Sequence, residues 1–404
     1  MQTSLADFIK NTPEGDAADE ILRKCVHCGF CNATCPTYQL LGDELDGPRG
    51  RIYLIKAVLE GDHVSAKTQT HLDRCLTCRA CETTCPSGVR YGRLVDIGRH
   101  VVESRVPRPT LERVKRRVLA SVLSGATRFG LLLGIGRLLR PLLPERLKRQ
   151  IPLKREAGVW PESRQLRFMT TLGGCVQPAI GPQINAAAAR VLNRLGITLV
   201  EPAENRCCGA VTYHSSESER GLEQMRRNID SWWPQLEAGA EAIVVTSSAC
   251  ALQVKEYAEL LAHDADYADK AARVSALTKD LAEVVSAQNI ESLGKPGHGH
   301  RIAFHAPCTL QHGQQLTGRV EPMLLTLGFE LTPVPNGHLC CGSAGTYSLL
   351  QRKLSQRLLD DKLEALSSGE PEIIATANIG CYTHLGSKAR VPVKHWIELL
   401  DQAG

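Results

Sequence analysis

Aromatic residues make up only 4% of this 404-residue chain, against 43% hydrophobic residues in all, so any core must be assembled mainly from Leu, Ile, Val and Ala. A chain of this length suits two or three ordinary domains. No uninterrupted apolar run approaches the roughly eighteen residues that a spanning helix needs, which argues against an integral membrane protein. The opening Met1-Gln2-Thr3-Ser4-Leu5-Ala6-Asp7 has neither a basic n-region nor an apolar h-region, so the thiols are expected to stay reduced. Glycines at dinucleotide-binding spacing are missing as well. Gly130, Gly134 and Gly136 follow no strand-like run and have no third partner at that spacing, which rejects a nicotinamide or flavin fold there and leaves them as helix or membrane-face residues.

What the chain has in excess is cysteine, sixteen residues of it. The first eight form two copies of one string, CxxCxxCxxxCP: Cys25-Val26-His27-Cys28-Gly29-Phe30-Cys31-Asn32-Ala33-Thr34-Cys35-Pro36, then Cys75-Leu76-Thr77-Cys78-Arg79-Ala80-Cys81-Glu82-Thr83-Thr84-Cys85-Pro86. Bacterial two-cluster ferredoxins hold their [4Fe-4S] centres with this string. Three thiolates at two-residue gaps fit a tight loop whose amides point at the cluster sulfurs, while the fourth cysteine of each string ligates the other cluster. The pattern assigns one cluster to Cys25, Cys28, Cys31 and Cys85, and the second to Cys75, Cys78, Cys81 and Cys35, with Pro36 and Pro86 ending each loop. Zinc hooks also use CxxC pairs, but zinc has no use for a third cysteine at the same spacing followed by Cys-Pro.

Charge is distributed unevenly. Between Arg105 and Arg155 fourteen Lys or Arg face two acids, Glu112 and Glu145, which leaves the rest of the chain about minus seven although the whole carries +5. Apolar stretches such as Val118-Leu119-Ala120-Ser121-Val122-Leu123 and Leu131-Leu132-Leu133 alternate there with Arg128, Arg137 and Arg140. Such a segment suits either a helical connector docked on a partner subunit or a helix lying in a lipid headgroup plane. Nucleic-acid binding fits poorly, since no aromatic platform or reading motif accompanies the charge.

The other eight cysteines repeat too. Cys175, Cys207 and Cys208 recur 133 positions later as Cys308, Cys340 and Cys341, and Cys250 returns as Cys381 after a shift of 131. Leu195-Gly196-Ile197-Thr198-Leu199 answers Leu327-Gly328-Phe329-Glu330-Leu331, and Cys207-Cys208-Gly209-Ala210 answers Cys340-Cys341-Gly342-Ser343. Shared offsets over this length point to a duplicated domain. In each copy short apolar runs (Leu166 to Leu172 and Arg301 to His305; Ile243-Val244-Val245 and Ile373-Ile374-Ala375) alternate with helix-like segments, and a strand and helix close it over Arg273 to Val285 and Arg390 to Leu400. This alternation reads as parallel-sheet α/β units, whose ligands gather at the carboxyl ends of strands, where these cysteines lie. The glycine-rich Lys295-Pro296-Gly297-His298-Gly299-His300 reads as the linker between copies. The fold class expected is therefore α/β, with an N-terminal α-helical ferredoxin-like two-cluster module and C-terminal duplicated parallel-sheet units. Its divisions are 1–104 for the two-cluster domain, 105–160 for the basic connector, 161–294 for the first Cys-Cys-Gly repeat and 295–404 for the second.

Paired CxxCxxCxxxCP strings followed by two Cys-Cys-Gly repeats resemble a family of electron-transfer subunits. It includes the iron-sulfur subunits of glycolate oxidase and of anaerobic glycerol-3-phosphate dehydrogenase, and the catalytic subunit of heterodisulfide reductases. The stretches Cys25 to Cys31, Leu40 to Leu54 and Thr376-Ala377-Asn378-Ile379-Gly380-Cys381 look most like the glycolate oxidase branch. That resemblance implies flavin-containing partner subunits that oxidise glycolate to glyoxylate, while this subunit passes electrons singly toward a quinone or other membrane acceptor. It implies no catalytic residue, flavin or NAD in this chain, no activity for it alone, and a cytoplasmic location, peripheral on the inner membrane. One departure matters. In the heterodisulfide reductase pattern each repeat ends in CxxC, whereas the corresponding positions here read Ser247-Ser248-Ala249-Cys250 and Asn378-Ile379-Gly380-Cys381, with the first cysteine absent. Cys175, Cys207, Cys208 and Cys250, and Cys308, Cys340, Cys341 and Cys381, remain candidates for a further cluster or zinc, or for structural or redox-active thiols.

Near these cysteines, His27 is expected to tune a cluster by hydrogen bonding rather than to ligate. Arg79 is open between stabilising a reduced cluster and lying solvated at the surface. His305, His312, His338 and His384 are carried as groups supporting the repeat thiols, and Arg49-Gly50-Arg51 as a pair that steers a partner or braces a cluster loop.

Overall fold

A computed structural model describes residues 1–148, 151–162, 164–204 and 207–401. The first hundred residues are helical. Thr12 caps helix Pro13–Lys24, its hydroxyl accepting from Gly15 N at 3.0 Å, and proline at the first helical position with Glu14 and Asp16 in the first turn completes the start. Helices Pro48–Leu59, Ala66–Asp73 and Tyr91–Arg105 pack on it around a core of Ile21, Leu22, Ile55, Leu59, Leu94 and Val95, which also takes in Cys25, Cys75 and Cys81. Each cysteine string forms a loop that runs into a short helix, Phe30–Ala33 or Ala80–Thr84, and these two helices pack on each other. Cys35 caps a further helix that starts at Pro36.

Two helices follow, Thr110–Leu123 and Ala126–Leu139, the second prolonged by a 3-10 turn to Leu142. Among the described residues no single helix is long and apolar enough to cross a membrane, and this pair is bent by 98° at its break. Arg149, within the basic stretch, lies outside the described residues.

Each repeat folds as a four-stranded, wholly parallel sheet. The first has β1 (Arg167–Thr171), β2 (Ile197–Val200), β3 (Ile243–Val245) and β4 (Thr278–Asp280) in the order β2-β1-β3-β4. The second has β5 (Arg301–His305), β6 (Glu330–Leu331), β7 (Ile373–Thr376) and β8 (Val393–His395) in the order β6-β5-β7-β8. The parallel α/β grammar expected from the periodicities is thus present twice, with one detail moved: Arg273 lies in helix Ala268–Leu277, and the last strand of the first repeat begins only at Thr278. The sheets do not stand apart. One hydrophobic core runs from Met169, Ile184 and Leu192 through Ile302, Leu324 and Ile374 to Trp396 and Leu400, and Ser248 N donates to Ala377 O at 3.1 Å across the junction. The Lys295 to His300 segment is docked on the second repeat, with Gly297 N donating to Leu327 O at 3.0 Å. A Cβ at Gly297 would come within 2.3 Å of the Gly328 carbonyl carbon, so glycine is required by close approach.

Candidate iron-sulfur and thiol sites

The two strings share an unusual backbone. His27 and Gly29 in the first have φ of 55° and 85°, and Thr77 and Arg79 in the second have φ of 53° and 60°. Left-handed residues at alternate positions curl each loop so that amides turn inward. Thr77 N donates to Cys75 Sγ at 3.3 Å, and His27 N makes the equivalent bond to Cys25. A β-branched threonine at positive φ is strained, a cost that a bound anionic group contacting those amides would offset.

The thiols gather at two foci. Cys25, Cys28, Cys31 and Cys85 line one small cavity, whose wall Cys81 also reaches, and sense one another's charge. Cys35, Cys75, Cys78 and Cys81 form the other electrostatic group, deeper in the molecule. Each focus therefore takes three thiols from one string and the last thiol of the other. Four soft donors per focus, with amide donors beside them, fit the thiolate shell of a [4Fe-4S] centre.

The surroundings of the two foci differ in charge. Burial and neighbouring thiols push Cys31 up to about 11. Burial acts on Cys75 in the same direction, yet the guanidiniums of Arg51 and Arg99 outweigh it and hold that thiol below its ordinary value. Arg99 reaches Cys75 O at 2.6 Å and Thr77 Oγ1 at 2.9 Å. Arg51, 1% exposed, binds His71 O at 2.7 Å and Thr37 Oγ1 at 3.1 Å, and faces the fully buried Asp46, which also takes Arg74 at 2.7 Å and His71 at 3.0 Å. Arg49 braces the first loop instead: it pairs with Glu44 at 2.7 Å, and its guanidinium lies so close to Gly29 that a Cβ there would come within 2.6 Å.

The flagged polar residues separate into distinct roles. Arg79 is no solvated charge; it is largely covered and paired with Glu256 of the first repeat. The His27 ring packs edge-on to Tyr53 at 5.8 Å, and its buried Nε2 has no hydrogen-bond partner among the described residues. His312 bridges Thr83 Oγ1 at 3.1 Å and His338 O at 2.9 Å, joining the second string to the second repeat, and His384 meets Ser355 Oγ at 3.2 Å. His305 is buried, and among the described residues neither of its ring nitrogens has a hydrogen-bond partner.

In both repeats the four cysteines converge at the carboxyl ends of the central strands. Cys308 and Cys340 lie 3.8 Å apart and Cys341 and Cys381 3.4 Å apart, while Cys175 contacts Cys207 and Cys208 contacts Cys250. The position of each missing CxxC cysteine begins a helix: Ser247 at Ser248–Lys255, and Asn378 at Ile379–Gly386, where its side chain accepts from Gly380 N at 2.7 Å. The second repeat abuts the deeper focus, because Cys340, Cys308, Cys78 and Leu76 belong to one packed cluster. Cys175, Cys208 and Cys250, together with Cys75 of the deeper focus, line a cavity of about 2000 Å³ between the two-cluster region, the basic helices and both repeats.

Several of these groups give no signal in the sequence. Asp46, Arg74 and Arg99 act through partners 24 to 28 residues away, beyond any local period. Lys362 was legible in principle: it occupies an apolar position of helix Arg352–Ser367 between Leu358, Leu359 and Leu366, and it is buried there.

Comparison with known proteins agrees with this geometry. Residues 21–89 match the family described as 4Fe-4S dicluster domain, and residues 169–255 and 302–386 each match the cysteine-rich domain. The chain is 56% identical to the glycolate oxidase iron-sulfur subunit of Escherichia coli (strain K12), over 100% of this chain and 99% of that one. It is 29% identical to the probable glycolate oxidase iron-sulfur subunit of Bacillus subtilis (strain 168), over 98% of this chain and 96% of the relative. Lactate utilization protein A of Geobacillus kaustophilus (strain HTA426) is 29% identical over 56% of this chain and 95% of its own length. With two thiol foci in a 4Fe-4S dicluster domain and a duplicated cysteine-rich domain behind it, the chain belongs to the family of glycolate oxidase iron-sulfur subunits and has an electron-transfer role.

Proposed function

We propose that this chain serves a complex whose flavin-containing subunits oxidise glycolate to glyoxylate, and that it carries the electrons one at a time toward a quinone-type acceptor. The observation that carries this reading is the succession of thiol sites: an outer focus, a deeper focus, and the second-repeat thiols packed against Cys78. A flavin accepts a hydride, whereas a [4Fe-4S] centre changes by one electron, so bound centres supply the conversion from pairs to single electrons. In the same proposal Cys25, Cys28, Cys31 and Cys85 hold one centre, and Cys75, Cys78, Cys81 and Cys35 the other. The chain's own residues donate an amide to a sulfur of the deeper site and set a positive field there through Arg51 and Arg99.

Location belongs to the proposal as well: cytoplasmic, and peripheral on the inner membrane. Its support is the pair of basic helices, which leave Leu111, Val118, Leu131, Leu132, Leu138 and Leu142 exposed between their arginines. The test is reconstitution. The chain purified alone should hold about eight iron atoms and turn over no glycolate, and adding the flavin subunits should restore turnover. Glycolate oxidation at full rate by the chain alone would overturn the reading.

A further inference from the structure

We infer that the exposed apolar patch around Cys28, formed by Val26, Phe30 and Tyr53, is the docking face for a flavin-containing subunit, so that electrons enter the chain at the outer focus. The inference rests on the proposed electron-transfer reading and gives that reading a direction. Access is the first argument. All sixteen cysteines lie among the described residues, and Cys28 is the only exposed one. An electron crosses protein efficiently only over short gaps, so a separate subunit has to approach the focus whose thiol reaches the surface. The same side of the second string is closed to another subunit, because Leu76 and Cys78 pack there against Cys340, Tyr347, Leu354 and Leu358 of the second repeat.

The second argument is a comparison that the two strings make between themselves. They correspond at an offset of 50, which pairs Val26 with Leu76 and Phe30 with Ala80. Leu76 is 7% exposed beneath the second repeat, and Ala80 is 2% exposed in a helix packed against Thr309–Gly313 of that repeat. Val26 is 68% exposed and Phe30 61%. Apolar side chains at matching positions of one loop are thus covered on the second string and bare on the first. Tyr53, also 61% exposed, extends the bare patch from helix Pro48–Leu59, with its ring edge-on to His27 between Val26 and Cys28. Two aromatic rings and a valine beside a redox site have the composition of the apolar centre of a protein interface.

Charge decides the kind of partner. The cations beside the patch carry their own acids: Lys24 pairs with Glu20 at 2.7 Å, Arg49 with Glu44 at 2.7 Å, and Lys56 with Glu60. The ammonium of Met1 is held by Cys25 O at 3.0 Å. A [4Fe-4S] centre with four thiolates is itself anionic and repels lipid phosphates. A rim of paired charges around an apolar centre therefore suits a protein surface, whereas the unpaired arginines and bare leucines of the basic helices suit lipid. A second copy of this chain would set two outer centres face to face with no source of electrons between them. With the flavin-containing subunit docked, electrons enter singly: each reduces the outer centre by one and moves on to the deeper focus before the next arrives. Two such steps reoxidise the partner's reduced flavin, and its protons pass to solvent.

The experiment uses the full chain, purified anaerobically with its iron, and the purified flavin-containing subunits. Binding is measured by biolayer interferometry, and electron entry by stopped-flow bleaching of the iron-sulfur absorbance when glycolate is added. Val26→Glu combined with Phe30→Glu should weaken binding at least about tenfold and slow the bleaching at subsaturating partner, with iron content and bleaching by dithionite unchanged. Tyr53→Glu lies on a helix rather than in a cluster loop; it should weaken binding about threefold or more, and it decides the question if the loop variant loses iron. Leu325→Glu, at a leucine of the second repeat that is 55% exposed, should change neither readout. Variants that bind and bleach like the wild type overturn the inference, as does an equal loss in Leu325→Glu. Loss of vesicle binding or of self-association in place of partner binding also overturns it, and assigns the patch to lipid or to a second copy. If the wild-type chain neither binds the flavin-containing subunits nor bleaches with glycolate, the electron-transfer reading falls and this inference with it; a failure confined to the variants touches the inference alone.

Discussion

Asp46 shows how much of the deeper site depends on single side chains. It is fully buried and accepts from Arg74 at 2.7 Å and His71 at 3.0 Å with Arg51 alongside, so Asp46→Ala would leave buried guanidinium charge uncompensated. The expected loss is about 3–5 kcal/mol of unfolding free energy, read by denaturant titration of the anaerobic protein. Arg99→Leu removes a positive charge bonded to Cys75 O and Thr77 Oγ1. It should lower the reduction potential of one centre by an amount on the order of tens of millivolts while leaving the other unchanged, in a potentiometric titration followed by electron paramagnetic resonance. Crossed ligation has its own test: Cys85→Ser should damage the centre of the first string, and Cys35→Ser that of the second, each lowering iron by about half. The cysteines themselves were legible because spacing alone encodes a thiolate loop. Their electrostatic surroundings were not, since Arg51, Arg99 and Asp46 meet them only after helices have packed.

Among the elements, the strands of the repeats were readable because buried parallel strands are short apolar runs, and the duplication displayed each run twice. The miss at Arg273 has a simple cause. Strand β4 is only Thr278–Asp280, too short and too polar to outweigh the helical period of the Ala268–Leu277 segment before it. The absent CxxC cysteines also gain a physical account, since Asn378 caps a helix through Gly380 N and Cys381 N, a task a thiol does poorly. The basic helices carry the prediction that belongs at this scale. Leu131 and Leu138 are 66% and 79% exposed on helix Ala126–Leu139, so replacing both by Ser should weaken binding to anionic lipid vesicles severalfold without altering iron content, as measured by cosedimentation. If vesicle binding is unchanged while the partner subunits dissociate, the helices dock protein rather than lipid.

Across the whole molecule, the two-cluster region is fastened to the first repeat by polar contacts that no local pattern announces. Arg79 pairs with Glu256, Arg93 donates to Tyr213 Oη at 2.8 Å, and His214 meets Asp96 at 3.0 Å. Burial disfavours a charged His214, but the Asp96 carboxylate more than compensates and raises its pKa above the ordinary 6.5. A raised folded pKa means that this contribution is complete below about pH 6.5 and is lost as pH rises through the higher folded value. Thermal stability of the anaerobic protein should accordingly fall over that interval, and Asp96→Asn should flatten this part of the profile.

The continuous core beneath the two sheets has a further consequence. Helix Gln183–Arg194 of one repeat meets helix Trp396–Asp401 of the other, with Arg190 bound to Asp401 at 2.6 Å, and Ser248 N reaches Ala377 O. Two copies of one duplicated unit thus cover each other's apolar surface within a single chain. A symmetric dimer must accept every substitution on both sides at once, whereas a tethered pair need not. Leu172 on one side and His305 on the other are what that freedom looks like at one position, and a repeat expressed alone should seek a second copy of itself to cover the face its sibling has vacated.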